Sequence, residues 1–133
     1  LFAYGILHMQ LFDRATHEAL VGIGTEVMAN SPWQMFTKGI LAGWLIATMV
    51  WLVPAAEQAR ITVIVLTTYL IALGGFTHII VGSVEVLYLV FSGGAGFGDY
   101  VVHFGLPTLL GNIVGGSCIF ALISHAQVRG DEA

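Results

Sequence analysis

The sequence predicts an all-α membrane protein in which three helices span the bilayer and the middle helix is broken. Hydrophobic residues make up 57% of the 133 residues and charged residues only 9%, whereas soluble domains carry about 25% charged residues. The net charge of −4 is small and dispersed, so we expect no nucleic-acid partner and a lipid bilayer as the surroundings. A single cysteine, Cys118, excludes an internal disulfide and a cysteine-rich metal site.

The amino-terminal third has two parts. Residues 1–12, LFAYGILHMQLF, carry no charge and lack the basic region and small-residue cleavage site of a signal peptide. We expect them to be the end of a preceding transmembrane helix of a longer protein. Residues 13–37 have mixed polarity, which predicts a polar connector with an amphipathic helix. Within this connector, Ser31 and Pro32 are a helix start signal.

Two of the predicted spans are continuous. Residues 39–56 contain eighteen uncharged residues, enough to cross the hydrocarbon core. Residues 101–128 form the last span, after a glycine-rich connector at 92–100 that lacks the Gly-Lys-Ser/Thr of a phosphate loop. Basic residues fall equally on both sides of these spans, so charge does not decide the orientation.

The middle span, residues 61–91, requires a break. From residue 61 to residue 98 there are 38 residues with one charge, Glu85. A straight helix of that length would reach about 57 Å, against about 30 Å for the hydrocarbon core. Glycines at 74, 75 and 82 place the break near residues 74–82. Irregular backbone is tolerated at membrane depth only where protein or a water-filled cavity surrounds it.

His78 lies within the predicted break. An ionisable residue inside a span is costly and is a functional candidate, and imidazole changes charge near neutral pH. The alternative is a neutral histidine that hydrogen-bonds a helix carbonyl. In a continuous helix Glu85 would lie on the same face as His78. It would then serve either as a proton relay or as a packing contact. Thr77 is expected to hydrogen-bond freed backbone groups.

The segment GNIVGG, residues 111–116, indicates close helix packing. Gly111 and Gly115 have the spacing that lets two helix backbones approach. We expect Gly116 to pack there too, and Asn112 to hydrogen-bond between helices. The remaining histidines lack metal-ligand spacing and no nucleophile–base pair is visible, so we expect no metal, no cofactor and no enzyme activity.

Three stretches resemble motifs of the formate/nitrite transporter family in the family's order and spacing. They are KGILAGWLIATMVW (38–51), GGFTHIIVGS (74–83) and LPTLLGNIVGG (106–116). The resemblance implies the second three-helix inverted repeat of an aquaporin-like six-helix bundle, assembled as a homopentamer in the bacterial inner membrane. Residues 38–133 would form this repeat, and the missing first repeat would lie outside the chain.

The resemblance also implies roles for individual residues. The family's central pore histidine, thought to interact with the permeating anion or to exchange a proton with it, matches His78. The family's hydrophobic constrictions match Ile46 and Ile71, both apolar as a dewetting gate requires. Phe76 and Thr77, directly before the histidine, and Gly43 in the first motif are expected to line the same pore.

Four positions depart from the family pattern and remove polar partners. Thr77 stands where the family has glutamate, and Gly43 and Gly82 stand where it has asparagine. Val27 takes the place of a lysine at the pore entrance. The resemblance implies passage of a small monovalent anion or its conjugate weak acid, formate- or nitrite-like, with His78 making that passage depend on pH. The four departures leave the identity of the solute open. The alternatives are a non-transporting assembly or regulatory component on the same fold, and a channel for a neutral solute.

Overall fold

A computed structural model of the protein describes residues 4–5, 12–123 and 125. Five helices account for most of this part: α1 (Arg14–Met28), α2 (Pro32–Leu52), α3 (Arg60–Leu73), α4 (Ile79–Phe91) and α5 (Phe97–Ile123). A short 3₁₀ turn, Glu57–Ala59, precedes α3. Helices α2 and α5 are each long and apolar enough to cross a membrane, and α4 is a shorter apolar helix. This architecture agrees with the predicted all-α membrane protein.

The helix bounds differ in detail from the predicted spans. Helix α2 begins at Pro32, seven residues before the span predicted from hydropathy. Ser31 and Gln34 form a capping box there, because each side chain bonds the other residue's backbone N–H, and capping rather than apolarity decides where a helix starts. The break between α3 and α4 occupies residues 74–78. Residues 1–3, 6–11, 124 and 126–133, which include parts of two predicted segments, lie outside the described residues.

Helix α1 lies directly against α4. The carboxylate of Asp13 caps α1 by accepting a hydrogen bond from the backbone N–H of Thr16 at 2.9 Å, and the hydrogen bonds from Thr16 hold the pKa of Asp13 below its usual value. On the α4 side Gly24 is buried, and a Cβ added there would lie 2.8 Å from the carbonyl oxygen of Glu85. Glycine at this position therefore lets the two backbones touch.

Helices α2 and α5 form the closest interface in the described part of the chain. A Cβ on Gly115 would collide with the carbonyl oxygen of Ile40, and a Cβ on Gly43 would collide with that of Asn112. Gly111 is packed equally tightly, whereas a Cβ on Gly116 would keep 3.4 Å from its nearest neighbour. The GNIVGG segment thus lies where α2 and α5 meet, and Gly43, Gly111 and Gly115 admit no side chain there.

A small apolar core joins α2, α4 and α5. Met35, Val86 and Phe104 are fully buried, one from each helix. The ring of Phe104 packs against Gly82 in α4. A Cβ added at this glycine would lie 2.6 Å from the Cζ of that ring. Helix α3 has no buried residue. Helix α4 therefore packs against the other described helices through this core, whereas α3 buries no residue against them.

Candidate functional site

The break between α3 and α4 is built from local backbone geometry. Gly75 has a φ of +57°, a left-handed conformation that glycine adopts without a steric penalty. The backbone N–H of Phe76 donates to the carbonyl oxygen of Ile71 at 3.0 Å and so closes the end of α3. His78 is extended, with φ −117° and ψ 132°, and stands at the N-cap of α4. The chain thus leaves one helix and enters the next within five residues.

Hydrogen bonds to both neighbouring helices hold this break in place. The hydroxyl of Thr77 donates to the carbonyl oxygen of Met35 in α2 at 2.8 Å and is buried. Asn112 of α5 accepts a hydrogen bond from the backbone N–H of Ile79 at 2.9 Å, and its amide nitrogen donates to the carbonyl oxygens of Thr77 at 3.1 Å and Gly39 at 2.9 Å. Two backbone groups freed by the break, the carbonyl of Thr77 and the N–H of Ile79, are therefore satisfied by protein, as membrane depth requires.

A cavity of about 550 Å³ opens at the break. It brings together most of the residues singled out from the sequence: His78, Thr77, Phe76, Ile71, Ile46 and Glu85. Both Val27 and Gly82, two of the positions that depart from the family pattern, lie on its wall as well. Apolar residues therefore make up most of the cavity lining, while His78 at the break supplies an imidazole and Glu85 within α4 supplies a carboxylate.

Gly43 does not belong to the lining of this cavity. It is fully enclosed between α2 and α5, where a Cβ would meet the backbone of Asn112. A larger residue at this position would require the two helices to move apart. The structure thus places Gly43 in helix packing, beside Gly111 and Gly115, rather than on the cavity wall.

Four polar residues of the cavity wall were not singled out by sequence reasoning: Glu26, Asn30, Lys38 and Thr68. The ammonium of Lys38 donates to the side-chain oxygen of Asn30 at 2.6 Å. The backbone carbonyl oxygen of the same asparagine accepts a hydrogen bond from His103 Nε2 at 2.8 Å. In the sequence Lys38 only marked the edge of a span. A short turn between α1 and α2 is what aims it inward, and hydropathy carries no signal of that.

The charges on the cavity wall are not paired with one another. Among the described residues the one ion pair joins Arg14 and Glu18 at 2.7 Å on the exposed face of α1. Lys38, Glu26 and Glu85 all line the cavity but form no such pair. The same part of the chain holds no group of three or more acidic, histidine or cysteine side chains that would bind a metal ion.

Comparisons with known proteins agree with these features. Residues 1–126 match a protein family described as formate/nitrite transporter. The chain is 57% identical over 129 residues to inner membrane protein YfdC of Escherichia coli (strain K12). The aligned region covers 97% of this chain and 42% of that protein. The chain therefore spans less than half the length of this relative. No solved structure matches the chain.

Proposed function

Because this chain belongs to the formate/nitrite transporter family, we propose that it forms part of a transmembrane pore for a small monovalent anion or its conjugate weak acid. The resemblance found in the sequence is confirmed, and the family is one of transporters rather than enzymes. The observation that carries the proposal is the cavity of about 550 Å³ at the helix break, where an imidazole lies among mostly apolar lining residues.

The pore is completed by protein outside this chain. Residues 13–37 serve as the connector, and residues 38–133 form the second repeat of a six-helix, aquaporin-like bundle. A first repeat in the same polypeptide closes the open side of the cavity, and five protomers assemble in the bacterial inner membrane. Two observations support this arrangement: the chain covers 42% of its relative, and a cavity with charged walls cannot face lipid without a large cost.

Proton transfer at His78 lowers the barrier to passage. A bare anion crossing between Ile46 and Ile71 would lose its hydration without compensation, which costs several kcal/mol or more. The amino-terminal end of α4 begins at His78 and carries the partial positive charge of a helix dipole. An anion drawn to this end and protonated there passes the apolar wall as a neutral acid. Glu85, which also lines the cavity, relays the proton.

Flux through the full-length parent protein in liposomes tests the proposal. Formate, nitrite, acetate, lactate and hydrosulfide are compared between about pH 5 and 8, where imidazole changes charge. Flux above that of protein-free vesicles should rise as the pH falls, because the neutral acid and the protonated histidine both become more abundant. His78→Asn should lower this flux roughly tenfold or more, while His125→Asn, at an exposed histidine, should leave it unchanged. Flux that changes neither with pH nor on the substitution His78→Asn would contradict the proton step.

A second candidate is a non-transporting component that uses the fold for assembly or regulation. It is favoured by the enclosure of Gly43 between α2 and α5, which leaves no room there for the polar side chain that the family pattern has. A folded, reconstituted protein with no flux of any of the five solutes would support this candidate over the first.

A further inference from the structure

Lys38 lies beside the broken segment in a defined orientation. Its ammonium donates to the side-chain oxygen of Asn30 at 2.6 Å. Asn30 is anchored in turn, because its amide nitrogen donates to the carbonyl oxygen of Val27 at 2.9 Å. On the other side, the ammonium nitrogen is 3.8 Å from the position of a Cβ added to Gly75. The lysine charge is therefore fixed between the end of α1 and the break.

The charge of this ammonium is not neutralised by the groups that orient it. An amide oxygen is a neutral acceptor, and the one ion pair within the described residues, Arg14 with Glu18, lies elsewhere. Lys38 is half-buried on the wall of the cavity, where the effective dielectric constant is lower than in water and Coulomb attraction is stronger. A partly desolvated ammonium without a carboxylate partner attracts an anion from solution.

We propose that the ammonium of Lys38, oriented by Asn30, is an anion-binding site within the cavity, selective for monovalent over divalent anions. This inference rests on the proposed transport function and names the residue that collects its substrate. Three other titratable groups line the same cavity: Glu26 from α1, His78 at the start of α4 and Glu85 within α4. The two carboxylates repel anions from the rest of the wall, so one negative charge is accommodated at Lys38 and a second is opposed.

Variants of the full-length protein separate charge from structure. Lys38→Met removes the charge and keeps a long apolar side chain, while Asn30→Asp keeps the size of the asparagine and places a carboxylate against the ammonium. Both should raise the KM for formate or nitrite roughly tenfold with little change in kcat, because a focused positive charge raises the local anion concentration. Lys38→Arg should restore a low KM. Arg60→Gln, at an exposed arginine outside the cavity, is the matched control.

Ionic strength distinguishes an electrostatic role from a purely structural one. The KM of the wild type should rise with added salt as the attraction is screened. In Lys38→Met the KM should be high and nearly independent of salt. A KM for Lys38→Met equal to that of the wild type, or a salt dependence that survives this substitution, would overturn the proposal.

A binding measurement keeps the test independent of transport. Acylation of Lys38 by an amine-reactive ester is followed by mass spectrometry on the full-length protein in detergent. Saturating formate should slow it roughly threefold or more, whereas glycerol, or sulfate at equal ionic strength, should have little effect. Equal rates with and without formate would refute the anion site. If the wild type carries no flux while formate still protects Lys38, the transport proposal fails and the binding site stands.

Discussion

Replacement of Asn112 by leucine is the most direct test of how the helix break is held. The side chain makes three hydrogen bonds to backbone groups: it accepts from Ile79 and donates to Thr77 and Gly39. Those partners have fixed donor and acceptor roles, so the orientation of the amide follows from them. Asn112→Leu keeps a similar branched shape and removes all three bonds.

The expected loss of stability follows from these contacts. A buried polar group left without a partner costs about 1–3 kcal/mol, and a typical hydrogen bond contributes about 0.5–1.5 kcal/mol. Asn112 is half-buried, so the lower end applies to each of the three backbone groups. Their sum is about 3 kcal/mol, which would lower the apparent Tm of the folded protein by roughly 5–10 °C.

Thermal unfolding of the full-length protein in detergent measures this effect. Ser117→Ala, at an exposed polar residue on the same helix, is the control and should change the free energy of unfolding by no more than about 0.5 kcal/mol. If Asn112→Leu lowers the Tm no further than this control does, the three hydrogen bonds do not hold the break and the reasoning fails.

Two further substitutions test the packing around the site. Gly115→Ala should sharply reduce the yield of folded protein, because a Cβ there collides with a carbonyl oxygen of α2. Gly22→Ala, at a glycine with nothing within 4 Å of the added Cβ, should be neutral or stabilise by up to about 1 kcal/mol, and equal yields for the two variants would contradict the close approach. Thr108→Val should preserve or raise the Tm, because the hydroxyl of Thr108 is buried without a hydrogen-bond partner and its removal leaves no group unsatisfied. A clear drop in Tm would reveal a partner that the described residues do not show.

Much of the site could be predicted from local signals. The excess length of the apolar run from residue 61 requires a break, and its glycines predict that break near residues 74–82, a range that includes the non-helical residues 74–78 of the structure. His78 is then the ionisable residue at the break, and Glu85 lies on the same wall. Such predictions can be made from the sequence because length, glycine content and the cost of a polar group in lipid act within a few residues of each other.

Other features depend on distances between segments far apart in the chain. Gly43 was expected on the pore wall, yet it is enclosed because α5 passes against it at Asn112. Conversely, Lys38 was seen only as the edge of a span, although its ammonium meets Asn30 on the cavity wall.

The sequence by itself determined the membrane class, the helical segments and the position of the broken helix, since each follows from hydropathy and local backbone preferences. The tertiary structure alone decided which side chains face the cavity and which backbone groups Asn112 satisfies. The physical reason is that the packing of α1 and α5 against α2 and α4 sets these contacts. The residue pattern within any one segment does not predict how that segment packs against another.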